Sequence, residues 1–130
     1  MAVAICIETP TRFARRVVAD TPAIPLHSLL KLTDGNVAII TSGADVSAGI
    51  AWEEKTASDG ILEIVVALNG RWKIVSNGSN HAVGELVMIT ALNTVGTADT
   101  AGHLAGKTVG HSLNALTGAG SIVVEVNILE

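Results

Sequence analysis

The chain has 130 residues, of which 48% are hydrophobic and 15% charged, and its net charge is −4. That length suits one domain able to bury roughly two-thirds of its unfolded surface without a disulfide or metal staple. The composition excludes a disordered chain, no apolar run reaches the ~20 residues of a spanning helix, and the negative charge argues against nucleic acid as the main partner.

Ala2 to Glu8 alternates weakly and reads as a first strand or an adhering tail; without a basic leader it predicts synthesis in a cytoplasm. Cys6 is the single cysteine, so no intrachain disulfide can form. Thr9 to Leu26 holds all three prolines, Pro10, Pro22 and Pro25, which lack a ladder donor and favour extended backbone. Residues 1–27 are therefore expected as an extended N-terminal arm, and 28–130 as a β-barrel domain. Residues 1–32 carry a balance of +2, through Arg12, Arg15, Arg16 and Lys31 against Glu8 and Asp20, and the remainder carries −6. A basic arm on an acidic body predicts that Arg12, Phe13, Arg15 and Arg16 contact a partner; a solvated polar terminus is the plainer reading.

Ser28–Thr33 and Val37–Thr41 flank Asp34-Gly35-Asn36, a hairpin signal. Ile50–Glu53 predicts a short strand carrying Trp52. The central feature is Ile61–Val75, where two β-branched runs meet at Asn69-Gly70, the dipeptide favoured in type I′ turns. A two-residue loop there pairs Leu68 with Arg71, Ala67 with Trp72 and Val65 with Ile74, making Asn69, Gly70 and Trp72 the core of a structural hairpin. Gly84–Leu92 suits a strand, Asn93–Gly102 a loop with room for a short strand, and Leu104–His111 a strand broken by glycines. Ser121–Leu129 alternates cleanly, with Ile122, Val124, Val126 and Ile128 on one face. Turn signals recur about every ten residues, which predicts an all-β fold, a small β-barrel or sandwich, with no internal repeat evident.

Reactive constellations are absent from the pattern. Ala101–Thr108 satisfies a relaxed phosphate-loop spacing, but Ala101 stands at the first glycine and no long helix follows. His27, His81, His103 and His111 have no partners at metal-ligand spacing. No serine sits on a strand–elbow–helix, Glu53 and Glu54 would point to opposite faces of a strand, and Asn77-Gly78-Ser79 is a glycosylation sequon only in a secreted chain. The expectation is no catalytic residue, no cofactor and no metal. The different-class alternative is a small-ligand binder with a pocket near His81, His103 or His111.

The order of the second half runs Ile61–Val75, Val83-Gly84-Glu85-Leu86-Val87, Gly106-Lys107-Thr108-Val109-Gly110, then Ser121–Leu129, with Gly49-Ile50-Ala51 upstream. This resembles the small β-barrel decoration (head-stabilising or cement) proteins of tailed-phage capsids. The resemblance spans roughly residues 28–130 and rests on strand and glycine order. It implies a non-enzymatic virion component on the capsid exterior, a homotrimer that binds the major capsid protein and stabilises the shell, with neither nucleic acid nor membrane as partner. Another phage structural barrel, from a tail or a fibre base, is the alternative within the same class.

Overall fold

The computed structural model describes residues 3–33, 35, 37–43, 45–99 and 107–128. Among them every regular element is a strand: β1 Ile5–Glu8, β2 Phe13–Val18, β3 Leu29–Thr33, β4 Val37–Ile40, β5 Ser47–Ala51, β6 Glu63–Ala67, β7 Asn69–Ser76, β8 Leu86–Ala91, β9 Thr94–Thr97, β10 Thr108–Ser112 and β11 Gly120–Asn127. The fold is all-β, as the turn spacing predicts. It contains two barrels rather than one.

The first barrel closes in the order β2-β4-β3-β5-β6, and β6 returns to β2. The second runs β7-β11-β10-β8-β9 and closes through a parallel β7–β9 contact, with β1 added on β7. The two have the same topology, β2 to β6 corresponding in order to β7 to β11. In each, the first strand pairs in parallel with the third, Val17–Val37 in one and Val75–Thr94 in the other. Each second strand meets a glycine on the fourth, Leu30–Gly49 and Val87–Gly110. The loops correspond as well: the isolated bridge Ile24–Lys55 has its counterpart in His81–Leu116. The amide of His27 donates to Ala51 O as that of Gly84 does to Ser112 O, and both residues have positive φ, 66° and 84°. The chain is an internal duplication, which corrects the expectation of no repeat.

The predicted hairpin at Asn69-Gly70 is also corrected. β6 pairs with β2 and β5, while β7 pairs with β1, β11 and β9, so the two runs belong to different barrels. Both turn residues have other work. The Asn69 carboxamide oxygen accepts the amides of Thr11 (2.8 Å) and Arg12 (3.0 Å), and its nitrogen donates to Thr11 Oγ1. Gly70 has φ 105°, and a Cβ there would lie 2.8 Å from the Glu8 carbonyl, so glycine admits the passing chain. Trp72 lies fully buried in the second barrel, its indole N–H donating to Asn69 O at 3.0 Å.

Residues assigned by sequence to the arm are woven into both barrels. β1 is a strand on β7, and β2 closes the first barrel between β4 and β6. Alternation then explains the core. Ile122, Val124, Val126 and Ile128 of the last run are all buried, as expected, and join Leu30, Ile64, Val66, Trp72 and Ile74 in one cluster that spans both barrels. Between the barrels, Asn93 sits in the β8–β9 turn at φ 50°. Its Oδ1 accepts the Leu29 amide at 2.8 Å, and its own amide donates to Thr41 Oγ1 at 2.9 Å, which in turn donates to Ala91 O.

Candidate functional site

The four residues expected at a contact surface do different things. Arg12 is a clasp: its Nη2 donates to Asn127 Oδ1 (2.7 Å) and Ile128 O (3.0 Å), tying the end of β11 to the start of β2. Arg16 lies along the first barrel, with Nε donating to Ala48 O at 3.1 Å. Arg15 and Phe13 face outward. Arg15 lies 3.5 Å from Glu63 across the β2–β6 ladder, both side chains more than half exposed. Such a pair contributes at most about 1 kcal/mol and leaves Arg15 open to a better partner. Phe13 is 42% exposed and rests on Trp52, ring centroids 5.5 Å apart. Trp52 meets Trp72 edge-on at 6.2 Å, and His27 stands against both indoles, at 5.6 and 5.0 Å. Burial among these rings lowers the His27 pKa.

The outer face of the first barrel carries more apolar surface than its repeat. Phe13, Val46, Ile61 and Leu62 are exposed, and their counterparts by register and loop position are Arg71, Lys107, Ala119 and Gly120. Leu62 adjoins Val17, also exposed, through the Val18 amide to Leu62 carbonyl bond of 2.9 Å. Along β2 the outward row is therefore Phe13, Arg15 and Val17, a charge between two apolar groups.

Elsewhere two clusters of polar groups are mutually engaged. A shallow groove of about 260 Å³ is lined by Glu8, Asn69, Arg71, His111, Glu125 and Asn127, among others. Within it Arg71 Nε lies 3.4 Å from Glu8 and 3.9 Å from Glu125. Lys55 is fully buried, and its ammonium reaches Asp59 Oδ1 (2.7 Å), Asp20 O (2.9 Å), Thr56 O (3.1 Å) and Asp20 Oδ1 (3.3 Å). Burial is the largest influence on its pKa and pulls it down, but the hydrogen bonds and charges of Asp59 and Asp20 together win and raise it. The same ammonium lowers the Asp59 pKa, helped by the Ile61 amide. The knot pins the loop after β2 to the loop before β6.

The histidines expected as ligand-binder candidates do not converge. His81 is buried, with Nε2 2.8 Å from Ser76 Oγ. Its Nδ1 is buried with no hydrogen-bond partner among the described residues, so the carboxylate that orients a catalytic triad is missing there. In the first barrel the same two places are taken by Val18 and Ile24. His111 is exposed opposite Glu125 on the next strand. His103, and all of the phosphate-loop-like run except Lys107 and Thr108, lie outside the described residues. No group of three or more His, Cys, Asp or Glu side chains that could hold a metal ion occurs among the described residues.

No protein-family model matches this chain, and no curated protein matches it. Among solved structures it is similar in fold to the N base of the head fibre protein gp8.5 of bacteriophage phi29. The TM-score is 0.56 at 12% identity, over 92% of this chain and 98% of that one.

Proposed function

We propose that this chain is a virion structural protein, seated on the outside of a phage-type capsid and gripping the major capsid protein. The observation that carries this reading is the fold likeness to a head fibre base over nearly the whole of both chains. A protein of this kind works by binding the assembled shell and not the free subunits, which stabilises the shell by mass action. Assembly as a homotrimer multiplies the attachment points and so the avidity. A second reading within the same class, the foot of a head fibre, is favoured by the likeness to that fibre base.

Mixing the purified protein with expanded, undecorated capsids tests the proposal. Saturable binding and a raised temperature of capsid disruption are the expected results. No binding at micromolar concentration would reject it. Electron microscopy of the decorated particle separates a clamp lying between capsid subunits from a foot that carries a projecting fibre.

A further inference from the structure

The duplication supplies an internal control for the sheet edges. In the second barrel the first strand, β7, has three neighbours: β11 on one side, β9 at Val75–Ser76 and β1 at Arg71–Lys73 on the other. In the first barrel β2 has β6 on one side and β4 at Val17–Val18 on the other. No described strand occupies the place beside Phe13–Arg15 that β1 fills beside Arg71–Lys73. The backbone direction follows from two bonds. Arg12 O accepts the Leu68 amide and the Val18 amide donates to Leu62 O, so the even-numbered residues of β2 address β6. The odd-numbered residues, Phe13 and Arg15, therefore present their N–H and C=O groups to the vacant side. Ala14, whose counterpart Trp72 is fully buried, remains only half-buried.

We infer that the Phe13–Arg15 edge of β2 is a strand-acceptor site, which takes an extended, acidic segment of another protein chain as β7 takes β1. Exposed edges are templates for strand addition, and this one lacks the cover its repeat possesses. The register of β1 on β7 fixes the guest's chemistry. The position opposite Lys73 corresponds to Arg15 and calls for a carboxylate, which would find a cation of which two-thirds is exposed. The position opposite Arg71 corresponds to Phe13 and calls for an apolar side chain. The residue between them faces inward over Ala14, a smaller side chain than the Trp72 that faces Cys6, and is taken as branched and apolar. That the guest belongs to a capsid subunit rests on the function proposed above; the acceptor itself does not.

The test uses the full-length protein and a synthetic peptide of residues 3–9 with Ile5→Glu, Cys6→Val and Glu8→Val, against a control carrying Lys at the first of these positions. Amide signals of Phe13 and Arg15 are expected to shift and gain exchange protection on adding the acidic peptide, which binds about fivefold more tightly than the lysine peptide. Arg15→Pro removes the edge donor without touching the β6 ladder and is expected to abolish binding. Arg15→Glu, which leaves the backbone intact, is expected to reverse the peptide preference and keeps the test decisive if the proline variant misfolds. Absence of shifts at about 1 mM peptide, or shifts confined to Lys73 and its neighbours, would overturn the inference. A concentration-dependent dimer of the protein alone, dissolved by Arg15→Glu, would overturn the choice of a foreign guest. Peptide binding without capsid binding would remove the capsid reading and leave the acceptor standing.

Discussion

Replacing Asn93 should test whether the two barrels unfold as one unit. Its side-chain oxygen is the acceptor for the buried Leu29 amide, at 2.8 Å across the joint, and Asn93 is itself 4% exposed. Asn93→Gly keeps the left-handed backbone, φ 50°, and strands that amide, a cost of roughly 1–3 kcal/mol. Asn93→Ala adds the strain of a Cβ in left-handed geometry, roughly 1–2 kcal/mol more. Against a total stability of about 5–15 kcal/mol, either loss is large enough to read. At this chain length each kcal/mol lowers Tm by roughly 3–6 °C, so the glycine variant should melt several degrees early and the alanine variant earlier still. Urea denaturation followed by both tryptophan fluorescence and far-ultraviolet circular dichroism is the assay. Wild type should show coincident transitions, and the variants a lower midpoint. If both variants matched wild type within about 0.5 kcal/mol, the bonds through Asn93 would not couple the barrels and the reasoning would fail.

Three further outcomes are expected. Gly110→Ala would place a Cβ 2.0 Å from the Glu125 carbonyl and should cost about 3 kcal/mol or more, whereas Gly43→Ala, with nothing within 4 Å, should be neutral in the same melt. The depressed pKa of Asp59 stabilises the fold above the ordinary carboxylate range, and that contribution is lost as pH falls through the lower folded value; the contribution of the raised Lys55 pKa is fully present below about pH 10.4 and is lost as pH rises through the higher folded value. Asp59→Asn should therefore flatten the acid limb of a stability-against-pH curve below about pH 4 while lowering stability at neutral pH. Arg12→Ala should cost roughly 1.5–3 kcal/mol through the lost bonds to Asn127 and Ile128, and Arg15→Ala no more than about 1 kcal/mol; equal losses in denaturation would contradict the clasp.

Local pattern was readable wherever the chain obeys one constraint at a time. Ile122 to Ile128 alternates because one face of β11 lines a barrel, and the β3–β4 turn pairs its flanking runs as Asp34-Gly35-Asn36 predicts. Asn69-Gly70 misleads because each residue is selected for a contact with residues about sixty positions earlier, at Thr11 and Glu8. A turn propensity cannot distinguish that use from a hairpin. The repeat is hard to see in the sequence because its two halves share a topology and few side chains. Gly49 and Gly110, and Ile64-Val65-Val66 with Ile122-Val123-Val124, were signals that could have found it. Arg12 read as a surface charge because its acceptors at 127 and 128 lie at the far end of the sequence. The open edge at Phe13 and Arg15 is visible only by comparing one barrel with the other.

The path of the chain has a bearing on how it is made. β1 seats in the second barrel, yet the residues it pairs with, Arg71 to Lys73, come out of the ribosome more than sixty positions later. The first barrel, complete at Ala67, can close before β10 and β11, the last strands of the second, have been synthesised. β1, which precedes the first barrel in the chain, is thus a strand that waits, and until the second barrel forms Ile5, Cys6 and Ile7 remain a greasy, unseated segment.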